Sequence, residues 1–171
     1  AVKKLYKEVF GNTHDSLGDV DPEQVHDLHR SYFPRTIAKL VADGYLDERL
    51  ERIFNLEALA AALDPTRDDL IGFTGVRTMI NRYLLRTPDK KALEVPQYFW
   101  MRVAMGLSIT EDDPTSSALT LYNSMSNLRH LAAGSTLVNA GTPSAQLSNC
   151  FVMRTEDDLE HIAQTIRDVM W

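Results

Sequence analysis

Cysteine is nearly absent: the 171 residues contain one, Cys150. A single thiol closes no internal disulfide, so the fold does not rely on an oxidising compartment. Any redox partner of that thiol must lie on another chain or on a further part of this one. Long apolar runs are missing too. No stretch reaches the roughly eighteen uninterrupted apolar residues of a membrane-spanning helix, and the opening AVKKLYKEVFGNTHDSLGD has basic residues but no apolar signal core. Nor is there a basic excess. The net charge is −6, with acids and bases mixed along the whole length, which argues against a protein that grips duplex DNA or RNA by basic patches. The expectation is a cytoplasmic protein with no membrane and no DNA partner. P-loop, GxGxxG and GxSxG patterns are absent, as are the usual zinc spacings, internal repeats and low-complexity tracts.

What is present is a large apolar share, 44%, enough to bury the core of one domain without metals or disulfides. From Asp21 to Ser108 the apolar residues recur at three and four positions, the spacing of helices. Asp21-Pro22-Glu23 reads as an N-cap with proline at the first helical position, and Val25, Leu28, Tyr32, Phe33, Ile37, Leu40 and Val41 carry the stripe to a stop at Gly44. Pro34 is expected to kink or split this helix. Shorter helices are predicted over 47–54 and 56–63, then 74–86 with Thr74 as cap. A polar turn follows, TPDKKALEVPQ, with room for a short extended excursion. The next helix runs from Pro96 through Leu107, dense in large apolar groups, and Asp113-Pro114 opens another bearing Ala118, Leu121, Tyr122, Met125 and Leu128.

After His130 the pattern changes. STLVNAG and NCFVM are short, apolar and bounded by Gly-Thr-Pro, which predicts two buried strands. Thr155-Glu156-Asp157-Asp158 then supplies the acids of a helix first turn, with Leu159, Ile162, Ile166 and Val169 as its stripe. This helix meets Met170-Trp171 without a stop signal, as expected of a piece of something longer.

Few residues carry chemistry on their own. His26 and His29 share one helical face, where two imidazoles can meet a metal, but no third ligand accompanies them, so solvent-exposed helix histidines are expected and the metal assignment is none. His14, His130 and His161 are isolated. The pairs and triplets Asp68-Asp69, Glu111-Asp112-Asp113 and Glu156-Asp157-Asp158 each fall at a predicted helix start, where capping is the default role. Cys150 taken alone is a small buried hydrophobe or a tuned reactive thiol, and spacing does not decide between them.

The segment around it does carry a resemblance. STLVNAGTPSAQLSNCFVM resembles the part of ribonucleotide reductase large subunits that reads close to Ser-Pro-Thr-Leu-Phe-Asn-Ala-Gly-Thr, a few variable residues, then Gln-Leu-Ser-Ser-Cys-Phe. RDDLIGFTGVRTMINRYLLR and VPQYFWMRVAMGLS are similar to the helical stretches before that cysteine, and TEDDLEHIAQTIRDVMW to the helix after it, so the likeness spans 46–171.

The resemblance implies a mainly α N-terminal domain, residues 1–130, leading at 131–171 into the first strands of a ten-stranded α/β barrel. In that family a thiyl radical removes the ribose 3′-hydrogen and two further cysteines reduce the 2′-carbon, ending as a disulfide. Cys150 matches one of that pair, and a rigid strand would hold it against the 2′-carbon. Gly134, Ser135, Thr136, Ser148 and Asn149 match substrate-binding positions. Two of them depart from the usual pattern: Gly134-Ser135 stands where Ser or Thr is commonly followed by Pro, and Asn149 where Ser precedes the cysteine. Asp157, Asp158 and Leu159 match the effector site for a deoxynucleotide or ATP at a homodimer interface. The implied partners are the remainder of the catalytic subunit, a radical-generating small subunit and the ribonucleotide substrate. No cofactor is expected on this segment itself. The radical is expected from a metal-containing partner subunit, with adenosylcobalamin as the alternative. The competing reading is a helical protein-interaction module with a structural cysteine and a self-contained fold.

Overall fold

The computed structural model describes residues 2–11 and 22–170. Asp21 and His14 lie outside them, so the capping expectation at Asp21 falls there as well. The described residues form helices α1 (Val2–Phe10), α2 (Pro22–Ala42), α3 (Arg49–Arg52), α4 (Leu56–Ala61), α5 (Phe73–Thr78), α6 (Pro96–Ser108), α7 (Pro114–Ser126), α8 (Gly134–Asn139) and α9 (Leu159–Met170). A 3-10 turn at Pro65–Leu70 precedes α5, and a π turn at Met79–Tyr83 extends it.

The centre is α6. Its sequence is apolar nearly all round, and such a helix has to be enclosed. Phe99, Met101, Val103, Ala104 and Met105 are all fully buried. Proline at its first position starts it where the missing N–H costs nothing. Against it packs α7, started as expected by Asp113, whose side chain accepts from Ser116 N–H at 3.0 Å. α2 lies over α3, α4 and the 3-10 turn, and ends as expected before Gly44, which adopts φ +77°. Pro34 sits inside α2 without dividing it. Gly72, not Thr74, caps α5.

The two strands expected after His130 are not formed. STLVNA is α8, residues 150–153 have no strand partner, and the one isolated bridge among the described residues joins Arg86 to Ala92. No barrel strand therefore occurs among the described residues. α8 instead joins the helical core through Leu137 and Ala140.

Polar groups thread this core. Gln97 on α6 donates to Asp68 Oδ1 at 2.5 Å and accepts from Tyr122 at 2.6 Å, while Tyr6 of α1 donates to Asp68 Oδ2 at 2.5 Å. Asp68 is thus a buried acceptor that fastens α1 to α6 rather than a helix cap, a role that falls to Asp64. Burial pushes its carboxyl up to about 6, against the pull of those two hydrogen bonds.

His29 is likewise buried, at 0% exposure, which overturns the expectation of a solvent-exposed histidine. Nδ1 lies 2.8 Å from the Val25 carbonyl and donates to it, and the ring is edged by Tyr6, Phe10 and Tyr98. Nε2 finds no hydrogen-bond partner among the described residues. Burial lowers the imidazole pKa to about 4. As pH falls from 6.5 toward 4, the unfolded chain binds a proton that the fold refuses, so stability drops by roughly 3 kcal/mol over that window. Asp68 works in the opposite sense, because its raised pKa makes the native state hold the extra proton, and stability declines as pH rises from about 4 to 6. Urea denaturation of wild type and His29→Leu across pH 4–6.5 separates them. The wild type is expected to lose stability relative to the variant as the pH drops, and parallel curves would exclude His29 as the cause.

Candidate active site

α8 and the segment 147–150 bring most of the expected site residues together. Ser135 and Thr136 stand in the first turn of α8, and their hydroxyls donate to the Leu147 carbonyl at 2.7 and 3.1 Å. The Ser135 N–H donates to Asn149 Oδ1 at 3.1 Å. Asn139, at the other end of α8, donates to the Gln146 carbonyl at 2.7 Å. The loop before the cysteine is therefore laced along α8 by four side chains, and it needs no strand ladder to hold it.

Asn149 has a definite task in this arrangement. A helix start leaves its first N–H groups without partners, and the Asn149 side chain reaches one of them with an amide oxygen that can accept it. Ser148 is exposed, and Gly134 presents only backbone. Cys150 is exposed and free among the described residues rather than packed into the helical core. The strand expected beneath it is absent, and its placement comes from Asn149 and Leu147, which α8 holds.

Beyond Cys150 the chain runs beside α9, and a groove of about 730 Å³ is lined by Cys150, Phe151, Val152, Met153, Asp168 and Val169. Apolar side chains here face solvent: Val152 is 94% exposed and Leu159 83%. Asp158 caps α9 as expected, accepting from His161 N–H at 2.9 Å, and His161 in turn accepts from Glu156 N–H at 2.8 Å. Asp157, Asp158 and Leu159 lie on the exposed start of α9, apart from the α8 cluster in sequence and on a different helix.

Sequence reasoning missed one buried pair behind this site. Arg102 of α6 and Glu94 are 1% and 2% exposed in their side chains and meet at 3.0 Å. The signal was available, since a lone arginine inside YFWMRVAMGL requires a partner once the helix is enclosed.

Comparison with known proteins gives this arrangement a family. Residues 69–145 match the model described as ribonucleotide reductase, all-alpha domain. The chain is 41% identical over 165 residues, 96% of its length, to the ribonucleoside-diphosphate reductase subunit alpha of Chlamydia muridarum. It belongs to the ribonucleotide reductase large-subunit family. The fission yeast Schizosaccharomyces pombe large chain is 35% identical over 91% of the chain, and the Helicobacter pylori (strain ATCC 700392 / 26695) alpha subunit 34% identical over 68%. The chain spans 15% of the length of the Chlamydia and Helicobacter relatives and 19% of the yeast one. The reductase all-alpha match takes in α5 to α8, with Ser135 and Thr136, and stops short of Ser148, Asn149 and Cys150. No helix among the described residues is long and apolar enough to cross a membrane.

Proposed function

We propose that this chain is part of a ribonucleotide reductase catalytic subunit and that Cys150 is one of the two thiols that supply the reducing electrons. The observation that carries the reading is the exposed thiol next to Asn149, whose amide is tied to the hydroxyl-bearing start of α8. Hydroxyls and amides at that place suit a ribose and its phosphates, and Ser135, Thr136, Ser148 and Asn149 would hold the ribonucleotide, with Gly134 contributing backbone. In the overall step the ribose C2′–OH bond breaks and a C2′–H bond forms. Two thiols lose two protons and two electrons to become one disulfide, and the oxygen leaves as water. Cys150 is one thiol. The other, and the cysteine whose thiyl radical opens the reaction by taking the 3′-hydrogen, belong to the remainder of the subunit. The radical source would be a separate metal-containing subunit, with adenosylcobalamin as the alternative.

The exposed apolar residues around Cys150 and along α9 support a covering companion rather than a self-contained interaction module. Joined to the rest of a catalytic subunit and its radical-generating partner, the chain is expected to yield deoxyribonucleotide from ribonucleotide. A fully assembled enzyme that forms none would overturn the reading.

α9 has a second part in this proposal. Asp157, Asp158 and Leu159 would contact a deoxynucleotide or ATP effector at the interface of a catalytic dimer, with the Asp158 cap leaving Asp157 available. Asp157→Ala is then expected to change which ribonucleotide is preferred, measured as kcat/KM ratios with each effector, by more than it changes the maximal rate. An equal loss on all substrates with effector affinity intact would count against it.

A further inference from the structure

We propose that the buried Arg102–Glu94 pair is the positioning device of the substrate site, holding the C-terminal end of α8 and so the place of Ser135 and Thr136. The inference rests on the reading that α8 and residues 147–150 hold the ribonucleotide. α8 has six residues, too few to form a helix unaided, so its place is set by what grips its ends.

At its far end the grip is Arg102. Nε and Nη2 donate to the two Glu94 oxygens, each at 3.0 Å, in the fork geometry that suits guanidinium and carboxylate. The remaining hydrogens reach α8: Nη1 donates to the Ala140 carbonyl at 2.6 Å and Nη2 to the Leu137 carbonyl at 3.1 Å. These are the carbonyls that a helix leaves without partners at its end, and here they are buried away from water. Glu94 Oε1 also accepts from Leu85 N–H at 2.9 Å, which ties the chain after the π turn to the same pair. At the near end of α8, Ser135, Thr136 and Asn149 fasten the loop that leads to Cys150. A continuous chain of polar contacts thus runs from Glu94 through α8 to the residue before the thiol.

An apolar pair of the same volume would fill this core as well, since burying charges carries a desolvation cost that their attraction barely offsets. It would not hold two carbonyls in a fixed direction. Lysine in place of Arg102 keeps the charge but lacks the fork, so it cannot serve Glu94 and both carbonyls together.

The test uses the full-length catalytic subunit with its radical-generating partner and a ribonucleoside diphosphate as substrate. Arg102→Lys and Glu94→Gln are compared with wild type and with Tyr122→Phe, which removes a hydroxyl from the separate Gln97–Asp68 network. KM, kcat, substrate Kd and melting temperature are measured for each. A displaced α8 is expected to raise KM and Kd about tenfold in Arg102→Lys. Tyr122→Phe lowers the melting temperature with KM unchanged, because loss of folded molecules lowers the apparent kcat alone. A KM within twofold of wild type in Arg102→Lys overturns the positioning role, and so does an equal KM rise in Tyr122→Phe. Should Arg102→Lys fail to fold, Glu94→Gln, which keeps shape and an acceptor oxygen, decides by the same criterion. Wild-type enzyme that forms no deoxynucleotide overturns the proposed function and this role with it, whereas wild-type turnover with unmoved KM in the variants overturns this role alone.

Discussion

Cys150→Ser is expected to leave the fold and ribonucleotide binding nearly unchanged and to abolish multiple turnover in the reconstituted enzyme. The exposure of the thiol sharpens this contrast. A buried cysteine exchanged for serine would cost about 1–3 kcal/mol through a hydroxyl without a partner, and activity would fall with the folded fraction. An exposed one escapes that penalty, and surface exchanges of this size usually stay within about 0.5 kcal/mol. A loss of turnover at unchanged melting temperature and substrate Kd is therefore not an effect on stability. Chemistry can, because serine forms no disulfide and so cannot store the two electrons that the 2′-carbon takes up. The measurement compares melting temperature, substrate Kd and deoxynucleotide formed per subunit for wild type and variant, each with the complementing part of the subunit and an excess of dithiol. Turnover near the wild-type rate would end the assignment of Cys150 as a reducing thiol.

Much of the helical frame is legible locally. Asp113-Pro114 and Pro96 announce the starts of α7 and α6, and the run of Phe99, Trp100, Met101, Val103 and Met105 announces a helix enclosed on every side. The errors arise where distant contacts outweigh local preference. STLVNA carries two β-branched residues and invites a strand, yet its carbonyls are taken by Arg102 from across the core and its end by Gly141, which adopts φ +78°. Nothing within those six residues reveals that arginine. His29 is a different failure. It stands four residues before Phe33 and eight before Ile37, on the buried stripe itself, so the spacing pointed inward while the residue type suggested water. The expected site residues of the α8 segment prove to be neighbours in space, though on a helix and a loop rather than on two strands.

The largest effect on stability is expected from a single methyl group at Gly106. There α6 approaches the end of α8 so closely that a Cβ would lie 2.6 Å from the Ala140 carbonyl carbon and 2.8 Å from Gly141 Cα. Both obstacles are backbone atoms, so no side-chain rotation relieves the overlap. Two effects oppose each other in Gly106→Ala. Helix propensity favours alanine by about 1 kcal/mol in a helix interior. Forced separation of two packed backbones costs roughly 3 kcal/mol or more, since the movement also strains the Arg102 hydrogen bonds to Leu137 and Ala140 and the Asp47 N–H bond to Gly141 at 2.9 Å. Overlap is the larger, and the variant should be destabilised by at least about 2 kcal/mol. Gly72→Ala supplies the contrast: its Cβ meets nothing within 4 Å and its φ of −61° suits alanine, so the poorer N-cap that alanine makes and the stiffer unfolded chain offset each other and stability should stay within about 0.5 kcal/mol of wild type. Chemical denaturation of both variants reads the difference. A Gly106→Ala protein as stable as wild type, or more so, would mean that propensity prevails and that α6 and α8 are not in backbone contact.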